Sequence, residues 1–109
     1  MVEWFFNWKV GCVFTSASSV HGGQESTAIS MMFPMLHHGM IIVGVPYSIP
    51  ELTETGSPYS PSRVVGPKAD RPFDDKDIKV ARRLSKRISL LINGNYLWSI
   101  ILSLYNECL

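Results

Sequence analysis

The chain has 109 residues, of which 46% are hydrophobic and 17% are charged, and its formal net charge is +1 at pH 7. This length suits one small domain, and the composition is typical of a globular protein rather than a disordered one. The near-neutral charge predicts no nucleic-acid partner and no strong attraction to an anionic membrane.

The two ends of the chain carry no clear targeting signal. The N-terminus, MVEWFFNWKV, has no basic region ahead of a long apolar core and no small-residue cleavage site, which predicts a cytoplasmic protein. The apolar run at residues 96–105, YLWSIILSLY, is shorter than the about 20 residues that a membrane span needs. A buried or surface-associated helix is therefore favoured, and peripheral membrane attachment is the weaker alternative. Cys12 lies in an apolar run and is expected to be a buried thiol, so no disulfide with Cys108 is predicted.

The first elements in chain order are a strand, a loop and a helix. Residues 10–14, VGCVF, are apolar on both faces, which is typical of a strand inside a parallel sheet. Residues 15–24 are predicted to form a loop. From Glu25 the apolar residues recur at helical spacing, which predicts a helix with a kink at Pro34 and a C-cap at Gly39. The apolar stripe predicted to face the core consists of Ala28, Ile29, Met32, Phe33 and Leu36.

A second apolar run, MIIVGV at residues 40–45, predicts a second buried strand. Strand, helix and strand in this order predict a βαβ unit with parallel strands and a right-handed crossover. Residues 46–73 contain six of the seven prolines and are predicted to form a long irregular loop.

The last predicted helix begins after Asp74, a favourable N-cap residue. Its core-facing stripe is predicted to consist of Ile78, Ala81, Leu84, Ile88 and Leu91. The basic residues on its other faces favour a solvated surface over a phosphate site; they are Lys79, Arg82, Arg83, Lys86 and Arg87.

The loop at residues 15–24 follows the carboxyl end of the first strand, where open α/β sheets bind ligands. Its small residues would let backbone N–H groups approach a planar or anionic ligand, and its hydroxyl groups add donors and acceptors. From these residues alone, a plain connector remains the default interpretation.

Several motifs occur in order along the chain: VFTSASSVHGGQEST at residues 13–27, MLHHGM at 35–40, IIVGVPYS at 41–48 and GSPY at 56–59. From about Trp8 to about Leu91, the chain resembles the type IV NAD(P)H:quinone oxidoreductases, also called tryptophan-repressor-binding proteins. The combination of HGGQES, HHGM and GSPY in this order is specific, whereas none of the three would be convincing alone.

The resemblance implies a flavodoxin-like flavoprotein that binds FMN at the carboxyl end of a parallel sheet. It also implies hydride transfer from NADH or NADPH, two-electron reduction of a quinone, and homotetramers in which neighbouring subunits line the flavin pocket. By position, His37 and the loop residues correspond to cofactor-binding residues of the family; the loop residues are Ser16, Ala17, Ser18, Ser19, Val20, His21 and Gly22. No catalytic residue is assigned.

The three histidines do not predict a metal site, because the adjacent His37 and His38 point in different directions. His38 is expected to be a packed or capping residue near the helix end.

The predicted fold is therefore α/β, a flavodoxin-like parallel sheet with flanking helices, limited to its C-terminal half at residues 1–91. Residues 92–109 are predicted to be an unrelated apolar tail. The family's first strand and its phosphate-holding loop have no counterpart here, and Ser60 and Pro61 replace the residues that usually follow the tyrosine of GSPY. The predicted function is FMN-dependent two-electron quinone reduction by a fragment of such an enzyme, with weak FMN binding by the chain alone. The alternative is a noncatalytic flavodoxin-like remnant that acts as an interaction module.

Overall fold

The computed structural model of the chain describes residues 5–94. None of the helices in this range is both long enough and apolar enough to cross a membrane. The apolar run 96–105 lies outside the described residues. The elements are β1 (Val10–Gly11), β2 (Thr15–Ala17), α1 (Gln24–His37), β3 (Ile41–Ile42), a 3₁₀ helix (Pro50–Glu54), β4 (Ser62–Val64) and α2 (Asp75–Ile92).

The predicted βαβ unit is confirmed. Strands β1 and β3 pair in parallel, with Val10 opposite Ile41, and α1 connects them. The prediction of one strand over residues 10–14 was wrong in part, because β1 ends at Gly11 and residues 12–14 are not in a strand. Pairing resumes at β2, inside the segment predicted to be a loop.

The prediction of an irregular loop over residues 46–73 was also wrong in part. This segment contains the 3₁₀ helix and β4, which pairs in parallel with β2 in the register Thr15 opposite Ser62. β4 has only three residues and follows Pro61, so it is too short to show the alternation of apolar and polar residues that predicts a strand. Its pairing partner lies more than 40 residues upstream, and that non-local contact defines it as a strand.

Strands β3 and β4 both pair with segment 9–17, β3 with its β1 part and β4 with its β2 part. Odd-numbered residues of this segment make the recorded bonds: Ile41 N donates to Lys9 O (2.8 Å), Val43 N to Gly11 O (2.9 Å), Thr15 N to Pro61 O (3.2 Å) and Val65 N to Ala17 O (2.8 Å). In a parallel ladder the even-numbered residues then direct their N–H and C=O groups to the opposite edge. Within residues 5–94 no strand pairs with that edge. The segment is therefore an open sheet edge.

The C-terminal end of α1 is closed as predicted at Gly39, which has a left-handed φ of 71°. Gly39 N donates to Leu36 O at 3.0 Å, and Met40 N donates to Met35 O at 3.1 Å. This pair of bonds is a Schellman motif, which favours glycine at the left-handed position. Pro34 lies inside α1, and the helix continues past it to His37.

The two helices pack on opposite faces of β1. Val10 and Cys12 contact the hydrophobic core beneath α2, whereas a Cβ on Gly11 would meet the end of the Met35 side chain of α1. Successive residues of a strand point to opposite faces, so α1 and α2 cover different sides. The core cluster consists of Val43, Val45, Leu52, Val80 and Leu84.

The residues predicted to face the core are only partly the ones that are buried, and the agreement differs between α1 and α2. On α1 only Ala28 of the predicted stripe is buried, while Phe33 and Leu36 are 64% and 59% exposed. Gln24, which is 3% exposed, lies one turn before Ala28 on the side that meets the sheet. On α2, Leu84 is buried as predicted, but Ala81 is exposed and Val80 is fully buried in its place.

The basic face of α2 is exposed, in agreement with the solvated-surface interpretation. Two lysines of α2 pair with the 3₁₀ helix: Lys76 with Glu54, and Lys79 with Glu51 at 3.1 Å. A backbone hydrogen bond and the bond from Lys79 lower the pKa of Glu51. This contribution to stability is present at neutral pH and is lost as the pH falls through the lowered pKa.

The predicted N-cap of α2 is confirmed, because the Asp74 carboxylate accepts from Lys76 N at 2.9 Å. Replacing Asp74 with alanine is expected to lower the free energy of unfolding by about 1 kcal/mol, since one helix N–H loses its acceptor. Urea unfolding followed by circular dichroism measures this loss. The matched control is Asp75→Ala, which removes a neighbouring charge but no recorded capping bond. An equal loss in both variants would contradict a capping role specific to Asp74.

Candidate functional site

The candidate site is the loop at residues 18–23, which follows β2 at its carboxyl end and leads into α1. Every residue of this loop is exposed. Ser16 and Ala17, two further predicted cofactor-binding residues, belong to β2 instead of the loop, and Ser16 is exposed. The structure thus brings seven of the eight predicted cofactor-binding residues together at one end of the parallel strands; the eighth, His37, lies elsewhere.

A turn gives the loop its shape. Gly22 N donates to Ser19 O at 3.2 Å, which closes a β-turn across Val20 and His21. Serine at the first position and glycine at the fourth are favoured in type I turns. Gly23 follows with a left-handed φ of 77° and precedes the first residue of α1. Glycine adopts this conformation without the steric cost that a Cβ adds.

Gln24 holds the turn in place. Its side-chain amide donates from Nε2 to Ser19 O at 2.8 Å, so this carbonyl accepts from both Gly22 and Gln24. Sequence reasoning did not single out Gln24. The available signal was its position four residues before Ala28, which puts both residues on the same side of α1.

Gly22 is required by a close approach of two backbone segments. A Cβ at this position would overlap with the Cβ of Ala17 and would lie 3.1 Å from Ser19 O. Neither Ala17 Cβ nor a backbone carbonyl can rotate away. The small side chains at positions 17 and 22 therefore let the turn fold back against the end of β2.

The turn leaves hydrogen-bond donors free. Within residues 5–94, the backbone N–H groups of residues 18–21 have no recorded protein acceptor. The hydroxyl groups of Ser18 and Ser19 are also on the exposed surface. A ligand with several acceptor atoms along one edge would find matching donors here.

The GSPY motif lies directly beside the loop. A Cβ on Gly56 would be 3.2 Å from Gln24 Nε2 and 2.7 Å from Ser62 Oγ. Ser57 and Ser62 are buried, and Ser57 Oγ accepts from Tyr59 N at 3.1 Å. The structure therefore places the GSPY motif next to the buried side chain of Gln24, which belongs to the HGGQES motif.

A polar cavity of about 330 Å³ adjoins the loop on the side of Val20. It extends from the end of the 3₁₀ helix to the start of α2. Its charged lining residues are Glu25, Glu54, Arg71, Asp74, Lys76 and Asp77.

His37 lies at the opposite end of α1 from the loop. Fourteen helical residues span about 20 Å, so His37 and the loop of one chain do not meet the same small ring. His38 is the C-cap residue of α1, in agreement with the capping interpretation, and it is exposed, with its ring centroid 5.5 Å from that of Phe6. In the part of the chain that the structure describes, no group of three or more His, Cys, Asp or Glu side chains is arranged to hold a metal ion.

Cys12 is a half-buried free thiol next to the open edge. Burial raises the pKa of this thiol, so the protonated form dominates at neutral pH. Thiolate chemistry is therefore not favoured at this position.

An apolar groove of about 480 Å³ runs between α2 and the part of the sheet that contains Thr15 and Ser62. Cys12, Phe14 and Phe73 line it from one side, and Ile78, Ala81 and Ile88 are among the α2 residues that line the other. Phe14 is 77% exposed there. A β-strand on the edge and a helix beside α2 would cover this surface.

Parallel strand pairs, helices on both faces and a ligand-accessible loop at the carboxyl ends of the strands define an α/β protein of the flavodoxin-like class. No protein-family model matches the chain. It is 42% identical over 86 residues to the NAD(P)H dehydrogenase (quinone) of Chromohalobacter salexigens, covering 74% of this chain and 43% of the relative. The proteins of the same name from Geotalea daltonii and Methanosarcina acetivorans are 42% identical over 87 residues and 40% identical over 88 residues.

Over the matched stretch, the chain is similar to several NAD(P)H dehydrogenases (quinone) at 40–42% identity. The matched stretch spans less than half the length of these relatives, 42% of each of the last two.

Proposed function

We propose that the chain forms the flavin-facing part of an FMN-dependent NAD(P)H:quinone oxidoreductase. The observation that carries the proposal is the exposed turn at residues 18–22, with unpaired N–H donors beside the carboxyl end of β2. The names of the relatives support the reaction class.

Bound FMN would accept a hydride from NADH or NADPH and deliver two electrons to a quinone. The chain's own residues would bind and orient the ring. The N–H groups of residues 18–21 would donate to acceptor atoms of the ring and stabilise negative charge on it. Val20, which is 68% exposed, offers apolar contact for a ring face. Gln24 and Gly22 would keep the donors in one arrangement.

Association of copies belongs to the same proposal. His37 is too far from the loop of its own chain to contact the same flavin. A neighbouring copy would have to supply this histidine if it takes part in the site, which supports a homo-oligomer as the working form.

We expect the chain alone to bind FMN more weakly than micromolar, because no segment corresponding to the family's phosphate-holding loop is present in its sequence. Nuclear magnetic resonance of the ¹⁵N-labelled chain tests this at high FMN concentration. The amide signals of residues 18–22 are expected to shift, since these amides are the unpaired donors. Lumiflavin, which has the ring without the ribityl phosphate, is expected to shift the same signals.

Two results would contradict this expectation in different ways. Micromolar or tighter binding would show that the chain anchors FMN without the missing loop. Shifts confined to the groove along α2, with none at residues 18–22, would reject the loop as the flavin site. The surface variant Ile92→Lys is the control for the amide shifts of residues 18–22, which it should leave unchanged. Ile92 is 65% exposed and lies far along α2 from the loop.

The alternative is a noncatalytic interaction module, and the open edge of segment 9–17 with its apolar groove favours it. Such a module would bind a partner that supplies a strand and a helix, with main-chain hydrogen bonds along the edge. Oxidation of NADH with benzoquinone in the presence of added FMN separates the two functions. Turnover above the free-FMN background supports the oxidoreductase, and no turnover in any oligomeric form supports the module.

A further inference from the structure

Helix α2 has a second row of small and apolar side chains beside the row that packs on the sheet. Its members recur at intervals of three and four residues, and we call them the α2 stripe: Ile78, Ala81, Ser85, Ile88 and Ile92. Ile78 and Ile88 are half-buried and the other three are exposed. The core of the sheet uses Val80 and Leu84 instead.

Two cavities lie along the α2 stripe and share two of its residues. The apolar groove of about 480 Å³ extends along α2 as far as Ile88. A further cavity of about 330 Å³ is lined by Ser85, Ile88, Ser89, Ile92 and Asn93. Because Ser85 and Ile88 line both, the two cavities form one continuous surface that ends where α2 ends. A continuous exposed apolar surface of this kind is typical of an interaction site.

The chain leaves α2 beside this surface. Gly94 N donates to Leu91 O at 3.3 Å, and Gly94 has a left-handed φ of 83°, as is common where a helix ends. Residues 93–95, Asn-Gly-Asn, then lead to the apolar run 96–105, which lies outside the described residues. Three residues are enough to join two antiparallel helices in a hairpin.

The sequence of the run has the spacing of an amphipathic helix. At helical geometry Leu97, Ile101 and Leu104 share one side, whereas Ser99 and Ser103 fall on the opposite side. The run therefore offers a narrow apolar row of its own, of the kind that packs against a matching row on a neighbouring helix.

The two rows match when the second is read in reverse. Intervals of four and three residues separate the apolar positions 97, 101 and 104, and the same intervals separate Ile92, Ile88 and Ser85. Continued by three residues, this register brings Glu107 opposite Arg82, which lines the groove. Within residues 5–94, no ion pair is recorded for Arg82. Both the apolar spacing and the charges thus favour an antiparallel pairing.

We propose that residues 96–107 form a helix that packs antiparallel on the α2 stripe of the same chain and covers the groove. Twelve helical residues span about 18 Å, enough to run from Ile92 back to Arg82, about 15 Å along α2. The small side chains of Ala81 and Ser85 let the two helices approach closely. The groove would then be closed to a partner helix until the segment is displaced. The proposal goes beyond flavin binding and does not depend on it.

Nuclear magnetic resonance of the full chain tests the docking directly. The amides of residues 97–104 are expected to exchange with solvent at least about tenfold more slowly than in an unstructured chain. Methyl groups of Leu97 and Ile101 are expected to show nuclear Overhauser contacts with Ile92 and Ile88. A mixture of isotopically labelled and unlabelled chains separates contacts within one chain, which we expect, from contacts between copies.

A double variant on the α2 stripe tests which surface holds the segment. Ala81→Lys with Ser85→Lys is expected to abolish the slow exchange of residues 97–104, because two charges enter an apolar contact. Both positions are exposed, so the amide of Leu84 should stay protected and report that α2 is still folded. The matched control is Leu90→Lys on the opposite side of α2, which is expected to keep residues 97–104 protected.

A charge exchange tests the register. Arg82→Glu is expected to speed the exchange of residues 97–104 several-fold, and adding Glu107→Arg is expected to reverse this. Failure to reverse it would overturn the antiparallel register. Fast exchange of residues 97–104 in the original chain, contacts found only between copies, or protection that survives in the variant of Ala81 and Ser85 would each overturn the docking. The flavin-induced shifts of residues 18–22, measured on the same samples, are expected to be equal in all variants, so the two proposals can fail separately.

Discussion

Replacing Leu84 with alanine is expected to lower the free energy of unfolding by about 3 kcal/mol, which is a large part of the stability of a small domain. Leu84 is 4% exposed and belongs to the cluster that joins α2 to the sheet. The substitution removes buried methyl groups and leaves a cavity, because the neighbouring Val43 and Val80 cannot fill the space. Urea unfolding followed by circular dichroism gives the change in free energy.

The control for this prediction is the same substitution on the same helix. Leu90 is 39% exposed, and Leu90→Ala is expected to cost less than about 1 kcal/mol. The comparison isolates burial, since both substitutions change helix propensity equally. Equal losses in the two variants would mean that α2 does not pack on the sheet through Leu84.

The core cluster is small, and its position matters for the candidate site. It lies on the α2 side of the sheet, whereas the loop and α1 lie at the carboxyl end and on the other face. A core substitution therefore affects the loop mainly by unfolding the whole unit. Binding measurements on Leu84→Ala should be made at temperatures where the chain is still folded, so that stability and ligand contact are not confused.

Helix ends were predicted well because local chemistry determines them. Asp74 caps α2 through its own carboxylate, and Gly39 closes α1 through a left-handed backbone conformation. Each needs only neighbouring residues. The βαβ unit was also predictable, since two apolar runs flank one helical pattern.

The strand boundaries and β4 could not be predicted in the same way. β4 is a strand because Thr15 and Ala17 pair with it across a long stretch of chain. The pattern of apolar and polar residues over 46–73 gives no indication of this pairing. Likewise, periodicity located the apolar residues of α1 but could not say which of two adjacent stripes the sheet would cover.

The position of the candidate site could be predicted from the sequence, but the contacts that hold its loop in shape could not. Its position followed from the rule that loops at the carboxyl ends of parallel strands bind ligands. The role of Gln24 depends on one contact with Ser19 O, and the separation of His37 depends on the length of α1. The structure thus divides the predicted cofactor residues into a loop group and a distant histidine.

These two groups bear on the association of copies that forms part of the proposed function. The loop has free backbone donors, and the histidine end of α1 is exposed about 20 Å away. In a monomer, only the loop group could contact a given flavin, because His37 of the same chain is too far away. The amide shifts of residues 18–22 are therefore expected in the monomer as well, without any contribution of His37 to the bound flavin.

Replacing Gly22 with alanine is expected to displace the turn, to lower the free energy of unfolding by about 1–3 kcal/mol and to abolish the flavin-induced shifts of residues 18–21. The added Cβ would overlap with Ala17 Cβ and would lie 3.1 Å from Ser19 O, so the turn has to move away from β2. The matched control is Gly44→Ala, whose Cβ would meet only Tyr59 O, at an ordinary 3.5 Å. The control is expected to keep the shifts.

The cause of the Gly22 effect can be tested by removing the opposing methyl group. The double variant Ala17→Gly with Gly22→Ala is expected to recover most of the lost stability and the flavin response, beyond the sum of the single effects. Ala17→Gly alone should cost about 0.5–1 kcal/mol through backbone entropy. If the double variant is as defective as the sum of the two singles, the overlap with Ala17 is not the reason for glycine at position 22. If Gly22→Ala keeps the shifts of residues 18–21, the shape of the turn does not determine flavin contact, and the site must lie elsewhere on the chain.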